Sequence, residues 1–105
     1  MITEKGQLPV GIVYNGKTHK EFVIRPQKVR DSVEALEDER ANTNNAYLGI
    51  ALLTRQIEAI GDMPKDKITT ELLMDMYDVD IGALNDAKER LAKRLKSFRG
   101  EDKKI

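Results

Sequence analysis

Few residues of this chain have the type and spacing to do chemistry. His19 is its single histidine, and Asp75, Asp78 and Asp80 form a short carboxylate run. A histidine acts as a base or metal ligand when partners fix its ring, and no Ser or Asp pair lies near His19 in sequence. It falls on the polar face of a predicted hairpin and reads as a surface residue. A calcium loop of the EF-hand type needs oxygens at alternating positions, a central glycine and a terminal glutamate. Here only Asp78-Val79-Asp80 alternates, so these aspartates read as helix caps and linker residues, with Asp80 as the cap of the last helix. No glycine-rich phosphate loop is present, because Gly11 and Gly16 belong to the hairpin. The reading is a non-enzyme with no catalytic residue, no cofactor and no metal site.

A different chemistry is open to Met63, Met74 and Met76, which cluster around a short predicted helix. Methionine fills irregular core gaps and also adapts to the apolar surface of a partner. A second apolar feature is the C-terminal stripe Ile81, Leu84, Leu91, Leu95 and Phe98, interrupted by Lys88. Its repeat is close to 3.5 residues, which suits packing onto the second helix, self-association or a helical partner. The candidate partner-binding residues are therefore Met74, Met76, Leu84, Leu91, Leu95 and Phe98.

Composition bounds what these residues can belong to. The chain has 105 residues, 34% charged and 40% apolar, with zero formal net charge and no cysteine. One domain with a modest core is expected. The charge balance argues against a nucleic-acid binder, and the missing cysteines exclude disulfides and thiolate metal sites. No apolar run approaches the ~20 residues that span a bilayer, and the first residues lack a signal-peptide pattern, so a cytoplasmic protein with no membrane partner is expected. Charge is uneven: residues 31–39 hold five acids, and residues 88–104 hold eight bases against three acids. These blocks read as solvated faces or as steering charges for a partner or each other.

The elements that must position these groups begin with a β-hairpin over 8–25. Apolar alternation in Leu8-Pro9-Val10-Gly11-Ile12-Val13-Tyr14 is followed by Asn15-Gly16 and then Thr18 to Ile24, with Pro26 as the stop. A two-residue Asn-Gly turn would set Leu8, Val10, Ile12 and Tyr14 on one face with Lys17, His19 and Glu21. A three-residue loop ending at Gly16 would gather Leu8, Val10 and Ile12 with Thr18, Phe22 and Ile24. The apolar match favours the second register.

Helices follow over 29–98. The spacing predicts a first helix near 30–41, with Asp31 in its first turn beside Arg30, and a second from about 44 to 60 capped by Gly61. The second is the most apolar and is expected to lie under the hairpin, with Gly49 marking a close backbone approach. A short helix after Thr69 as N-cap, with Leu72, Leu73 and Met76 inward, and a last helix from Asp80 to about Phe98 complete the set. Residues 1–6 and 100–105 are expected to be flexible. The predicted fold is α+β, one antiparallel hairpin packed on three to four helices, with no strand after residue 30. Ile12, Phe22, Val33, Leu36, Leu52, Leu53, Ile57, Leu72 and Leu91 are the predicted core.

The order of features also carries a resemblance. Leu8-Pro9-Val10-Gly11 leads to Tyr14-Asn15-Gly16-Lys17. Phe22-Val23-Ile24-Arg25-Pro26 then precedes Val29-Arg30-Asp31. Tyr47, Leu52-Leu53-Thr54-Arg55-Gln56-Ile57, Ile60-Gly61, Ile68-Thr69, Leu72-Leu73, Asp80, Leu84 and Ala87 follow in order. Over about residues 7–95 this resembles the small tail assembly chaperones of contractile-tailed phages, of the Mu-like and P2-like kind found in prophages. The resemblance implies a non-enzymatic helper in the cytoplasm of the bacterial host. It would bind the phage tape-measure protein, a long helical chain, and keep it soluble until the tail tube assembles. The family supplies no catalytic residues to carry over. Two other classes are a prophage DNA-binding regulator, in which the hairpin imitates a wing, and a structural tail component that stays in the virion.

Overall fold

A computed structural model describes residues 2–103, with side chains to residue 97. The architecture is α+β. Strands β1 (Glu4–Tyr14) and β2 (Lys17–Ile24) form the expected hairpin. Helices α1 (Val29–Ala35), α2 (Glu39–Thr43) and α3 (Asn45–Gln56) follow. Strand β3 (Ile57–Ile60) then pairs antiparallel with β2, giving the sheet order β1-β2-β3. A 3-10 turn at Lys65–Lys67 leads to α4 (Thr70–Met74) and the long α5 (Asp78–Lys103).

The third strand corrects the expectation of a bare hairpin. Ile57 and Ile60 are three residues apart, which also suits a helix, so periodicity extended α3 through them. The edge of β2 decides otherwise: Arg25 N–H donates to the Gln56 carbonyl at 2.8 Å, and Gly61 N–H to the Glu21 carbonyl at 2.7 Å. Backbone groups at an open sheet edge gain partners that a continued helix would not give them. Both isoleucines become fully buried. Gly61 thus ends a strand, not a helix.

The hairpin tip also differs from the favoured register. Tyr14 pairs with Lys17, and Asn15 and Gly16 both have positive φ, 53° and 73°. That is the two-residue type I′ turn that Asn-Gly prefers. Residues 8–11 then stand opposite Lys20 alone, so β1 carries three more residues than β2 across this bulge. An odd surplus flips the side-chain face. Ile12 accordingly shares a face with His19, while Leu8 joins Phe22 and Ile24 in the core. The strand begins at Glu4, inside the segment expected to be flexible, and Arg90 and Arg94 hold the Glu4 carboxylate at 2.8 Å. These two guanidiniums keep that carboxyl below its ordinary range.

The main core gathers Leu8, Phe22 and Ile24 from the hairpin, Leu53, Ile57, Ile60 and Leu73 from the middle, and Leu84, Ala87 and Leu91 from α5. The helix against the hairpin is therefore α5, packed along β1, and not α3. Of the predicted core, Phe22, Leu53, Ile57 and Leu91 are fully buried, and Ile12, Leu52 and Leu72 are partly so. Val33 and Leu36 are corrections: they are 60% and 41% exposed. The first predicted helix breaks at residues 36–38, where Asp38 caps α2 by accepting from Arg40 N–H at 3.0 Å. The face α1 turns inward carries Asp31 and Ala35, leaving Val29, Val33 and Leu36 outside. Gly49 faces open space, so no backbone approaches it.

Candidate partner-binding surface

Two buried aspartates place the helices that frame this surface. Asp31 lies in the first turn of α1, as its sequence position predicts, and is 2% exposed. Its carboxylate receives Arg25 through two bonds of 2.8 and 2.9 Å, Arg55 at 3.3 Å and the Lys28 N–H at 2.8 Å. The Arg25 guanidinium, then the Lys28 amide, hold the carboxyl far below the usual carboxylate range, against the opposing effect of burial. Arg30 is not part of this cluster; it points outward and pairs with Glu34. Arg25 also donates to the Arg55 carbonyl at 2.8 Å, so one ion cluster ties the end of β2 to α1 and α3.

Asp80 does the same for α5 by different means. It is 1% exposed, and its two oxygens accept the Val10 N–H at 2.8 Å and the Gly11 N–H at 3.0 Å. The β1 bulge leaves both amides unpaired with β2, and Asp80 takes both. The residue read as a helix cap is instead a staple between helix and strand, because α5 begins two residues earlier, at Asp78. Among the described residues no group of three or more metal-ligating side chains lies together.

His19 is a further correction. It is 7% exposed, not on the surface. Its Nε2 lies 3.2 Å from the Tyr14 carbonyl, and its Nδ1 accepts the Asp62 N–H at 3.3 Å. Both ring nitrogens are thereby occupied by backbone, which leaves none for a substrate. Gly61 packs so closely that a Cβ there would lie 2.4 Å from Nδ1. The ring is a plug beneath the turn after β3.

The apolar surface lies at the other end of α3. Asn44 starts that helix by accepting the Ala46 and Tyr47 amides at 3.0 and 3.2 Å. Thr69 starts α4 by accepting the Leu72 amide at 3.2 Å, as predicted. Between these helices and the first turn of α5 runs a groove of about 390 Å³, lined by Tyr47, Ile50, Leu73, Met74, Met76 and Ile81 among others. One side is fixed by charge: Tyr47 O–H donates to Asp38 at 2.7 Å, and Arg40 stacks 4.4 Å from the Tyr47 ring centre. Arg40 also pairs with Asp38 and with Glu71 of α4, each at 3.0 Å. These contacts lower the Asp38 carboxyl, through Arg40 first and Tyr47 second, and raise the Tyr47 hydroxyl.

The structure thus divides the candidate residues. Met74, 46% exposed, and Met76, partly buried, share the groove. Met63 leaves the methionine cluster for the main core. Leu84 and Leu91 are 0% and 1% exposed against the sheet, which corrects their assignment to a partner surface. The outward residues of α5 include Asp86, Glu89, Arg90, Lys93 and Arg94, so its exposed side is charged. Leu95 is partly buried beside Pro26, and the Phe98 side chain lies outside the described residues. Sequence reading missed Tyr47, Ile50 and Ile81 as groove walls; their helical spacing signalled burial, and only the meeting of three helix ends turns them toward one opening. It also missed the outward stripe Val29, Val33 and Leu36, whose i, i+4, i+7 spacing is the same signal read with the wrong side facing in.

No helix among the described residues is long and apolar enough to cross a membrane. No family model, no curated protein and no solved structure matches this chain.

Proposed function

We propose that this chain is a phage or prophage tail assembly chaperone that binds the tape-measure protein and keeps it soluble during tail assembly. The observation that carries the reading is the methionine-edged groove between α3, α4 and α5, open beside Met74 and stiffened by Arg40, Asp38 and Tyr47. A long amphipathic helix presents apolar side chains at three- and four-residue spacing, and a pliable methionine wall accepts many such segments. The ordered resemblance over residues 7–95 supplies the client's identity. The exposed Val29, Val33 and Leu36 add apolar area on a separate helix, suited to a client longer than one groove or to self-association.

Co-expression with the tape-measure protein encoded beside it tests this directly. The expected result is a soluble complex that co-elutes, lost in a Met74→Asp variant that unfolds at the wild-type urea midpoint. Failure to co-purify, together with DNA retardation that weakens steeply with salt, would replace the chaperone with a DNA-binding regulator. Recovery of the chain from purified virions at fixed copy number would make it a structural tail component.

A further inference from the structure

The outward face of α1 carries an ordered pattern of apolar and charged side chains. Val29, Val33 and Leu36 are 82%, 60% and 41% exposed, while Asp31 and Ala35 fill the inward side. The helix ends at Ala35, but its turn carries on. Leu36 N–H donates to the Ser32 carbonyl at 3.1 Å, and Glu37 N–H to that of Glu34 at 3.2 Å. At about 100° per residue, Val33 stands in the middle of the outward face, with Val29 and Leu36 together on one side of it. Steps of four and then three residues are those of a seam between two helices.

Arg30 and Glu37 line the other side of Val33, nearly two turns apart on the same edge. The Arg30 side chain is 79% exposed and pairs with Glu34 at 3.4 Å, a surface contact of little strength. Glu37 is exposed and belongs to no ion pair among the described residues. Glu34 lies further around the helix and is also held by Arg55. The opposite edge carries the uncharged Ser32, whose hydroxyl accepts from Gln27. A face with a cation at one end, an acid at the other and a valine between them is its own complement. A two-fold axis through Val33 sets Arg30 of each copy beside Glu37 of the other, and Val29 against Leu36. A parallel alignment would set Arg30 on Arg30 and Glu37 on Glu37, so the charges select the antiparallel one.

We propose that the outward face of α1 is a two-fold interface with a second copy of this chain, the two helices antiparallel and closed by two Arg30–Glu37 ion pairs. Three apolar side chains are a small area beside the roughly 800 Å² per partner of a stable complex, so the dimer is weak, with a Kd on the order of 100 µM. The groove shares no lining residue with this face. Each copy therefore keeps its groove, and on the chaperone reading one dimer holds two segments of a long client; the interface itself is read without the client. Sedimentation velocity of the full chain from about 10 µM to about 1 mM brackets that Kd. The wild type should pass from monomer to dimer across this range. Val33→Glu, which sets two carboxylates at the axis, should stay monomeric and keep the wild-type urea midpoint. If it does not fold, Val29→Glu, at the most exposed of the three positions, takes its place. Arg30→Glu and Glu37→Arg should each weaken the dimer about tenfold. An equimolar mixture of those two variants should recover wild-type association, because each then meets the opposite charge, and so should the double variant. A wild type that stays monomeric at about 1 mM, a dimer that Val33→Glu leaves intact, or single charge variants that associate like the wild type would overturn the interface. A monomeric wild type whose client complex is lost in Val33→Glu would give this face to the client instead. A client that never co-purifies would remove the chaperone reading and leave the sedimentation result standing.

Discussion

The sheet half and the α1–α2–α3 half of this molecule close their interiors differently. In the first, the large side chains of Phe22, Ile60, Leu84 and Leu91 interlock between the sheet and α5, joined by Leu53 from α3. In the second, the buried cluster is Ala35, Ala41 and Ala51 around Tyr47, with Leu48 and Leu52 alongside. Alanines bring helices close but bury little area, so the second half spends its larger apolar residues outward, at Val29, Val33 and Leu36. Each half is pinned by one buried aspartate. Asp80 is satisfied by two backbone amides and needs no cation; Asp31 is satisfied mainly by Arg25, with the Lys28 amide and Arg55 beside it. The half with the weaker apolar core is the one held by charge, and through Tyr47 and Ile50 of α3 it shares the open groove with α4 and α5.

Removing Asp31 tests that contrast most severely. Asp31→Ala leaves Arg25 without its principal carboxylate partner in a largely buried place, and a loss of about 3–5 kcal/mol is expected in urea melts. The linked pH effect has a defined sign. The folded carboxyl ionises far below the ordinary value of about 3.9, so its stabilisation is complete above about pH 5 and falls as pH drops toward the folded value. Midpoints of the wild type should therefore decline from pH 5 to pH 2, and Asp31→Asn should flatten that decline. Asp38 and Glu4 are lowered as well, but their exposed ion pairs are screened and contribute little to the slope. An unchanged slope in Asp31→Asn would show that the ion cluster does not hold this half.

Leu53→Ala sharpens the contrast from the other side. Leu53 is 1% exposed, and its loss should cost about 2–5 kcal/mol, while Val33→Ala on the outward face of α1 should stay within about 0.5 kcal/mol. A Leu53 loss below about 1 kcal/mol would contradict the core described for the sheet half. Asp80→Ala orphans the Val10 and Gly11 amides and should cost about 1–3 kcal/mol. Because that site contains no cation, its cost should persist in high salt, as should most of the contribution of the buried Asp31 cluster, whereas that of the exposed Arg40–Asp38 pair should shrink. Hydrogen exchange gives the finest readout: in Asp80→Ala the Val10 and Gly11 amides should lose protection while those of α3 keep theirs.

The amino-acid sequence by itself determined what depends on neighbours a few residues away. Asn15-Gly16 sets a tight turn because both positions tolerate positive φ, and Pro26 follows the end of β2. Asn44 and Thr69 start their helices with a side-chain oxygen on the first free amides, and Asp31 sits where helix amides favour a carboxylate. The α+β class and the outward Met74 follow from such signals. Tertiary structure alone decided the features that need a distant partner. Ile57–Ile60 became a strand because the edge of β2 offered unpaired backbone, although its spacing also fits a helix. The bulge at residues 8–11 reconciled a turn and a core that demand opposite registers, and the amides it released recruited Asp80 from about 70 residues away. His19 was buried by a turn that follows β3, and the Gln56 side chain was buried where its amide meets the Arg25 carbonyl across the end of β2. Local capping and turn energies act over three or four residues and can be read in order. Pairing and burial depend on which surfaces meet, and a linear pattern holds no record of that meeting.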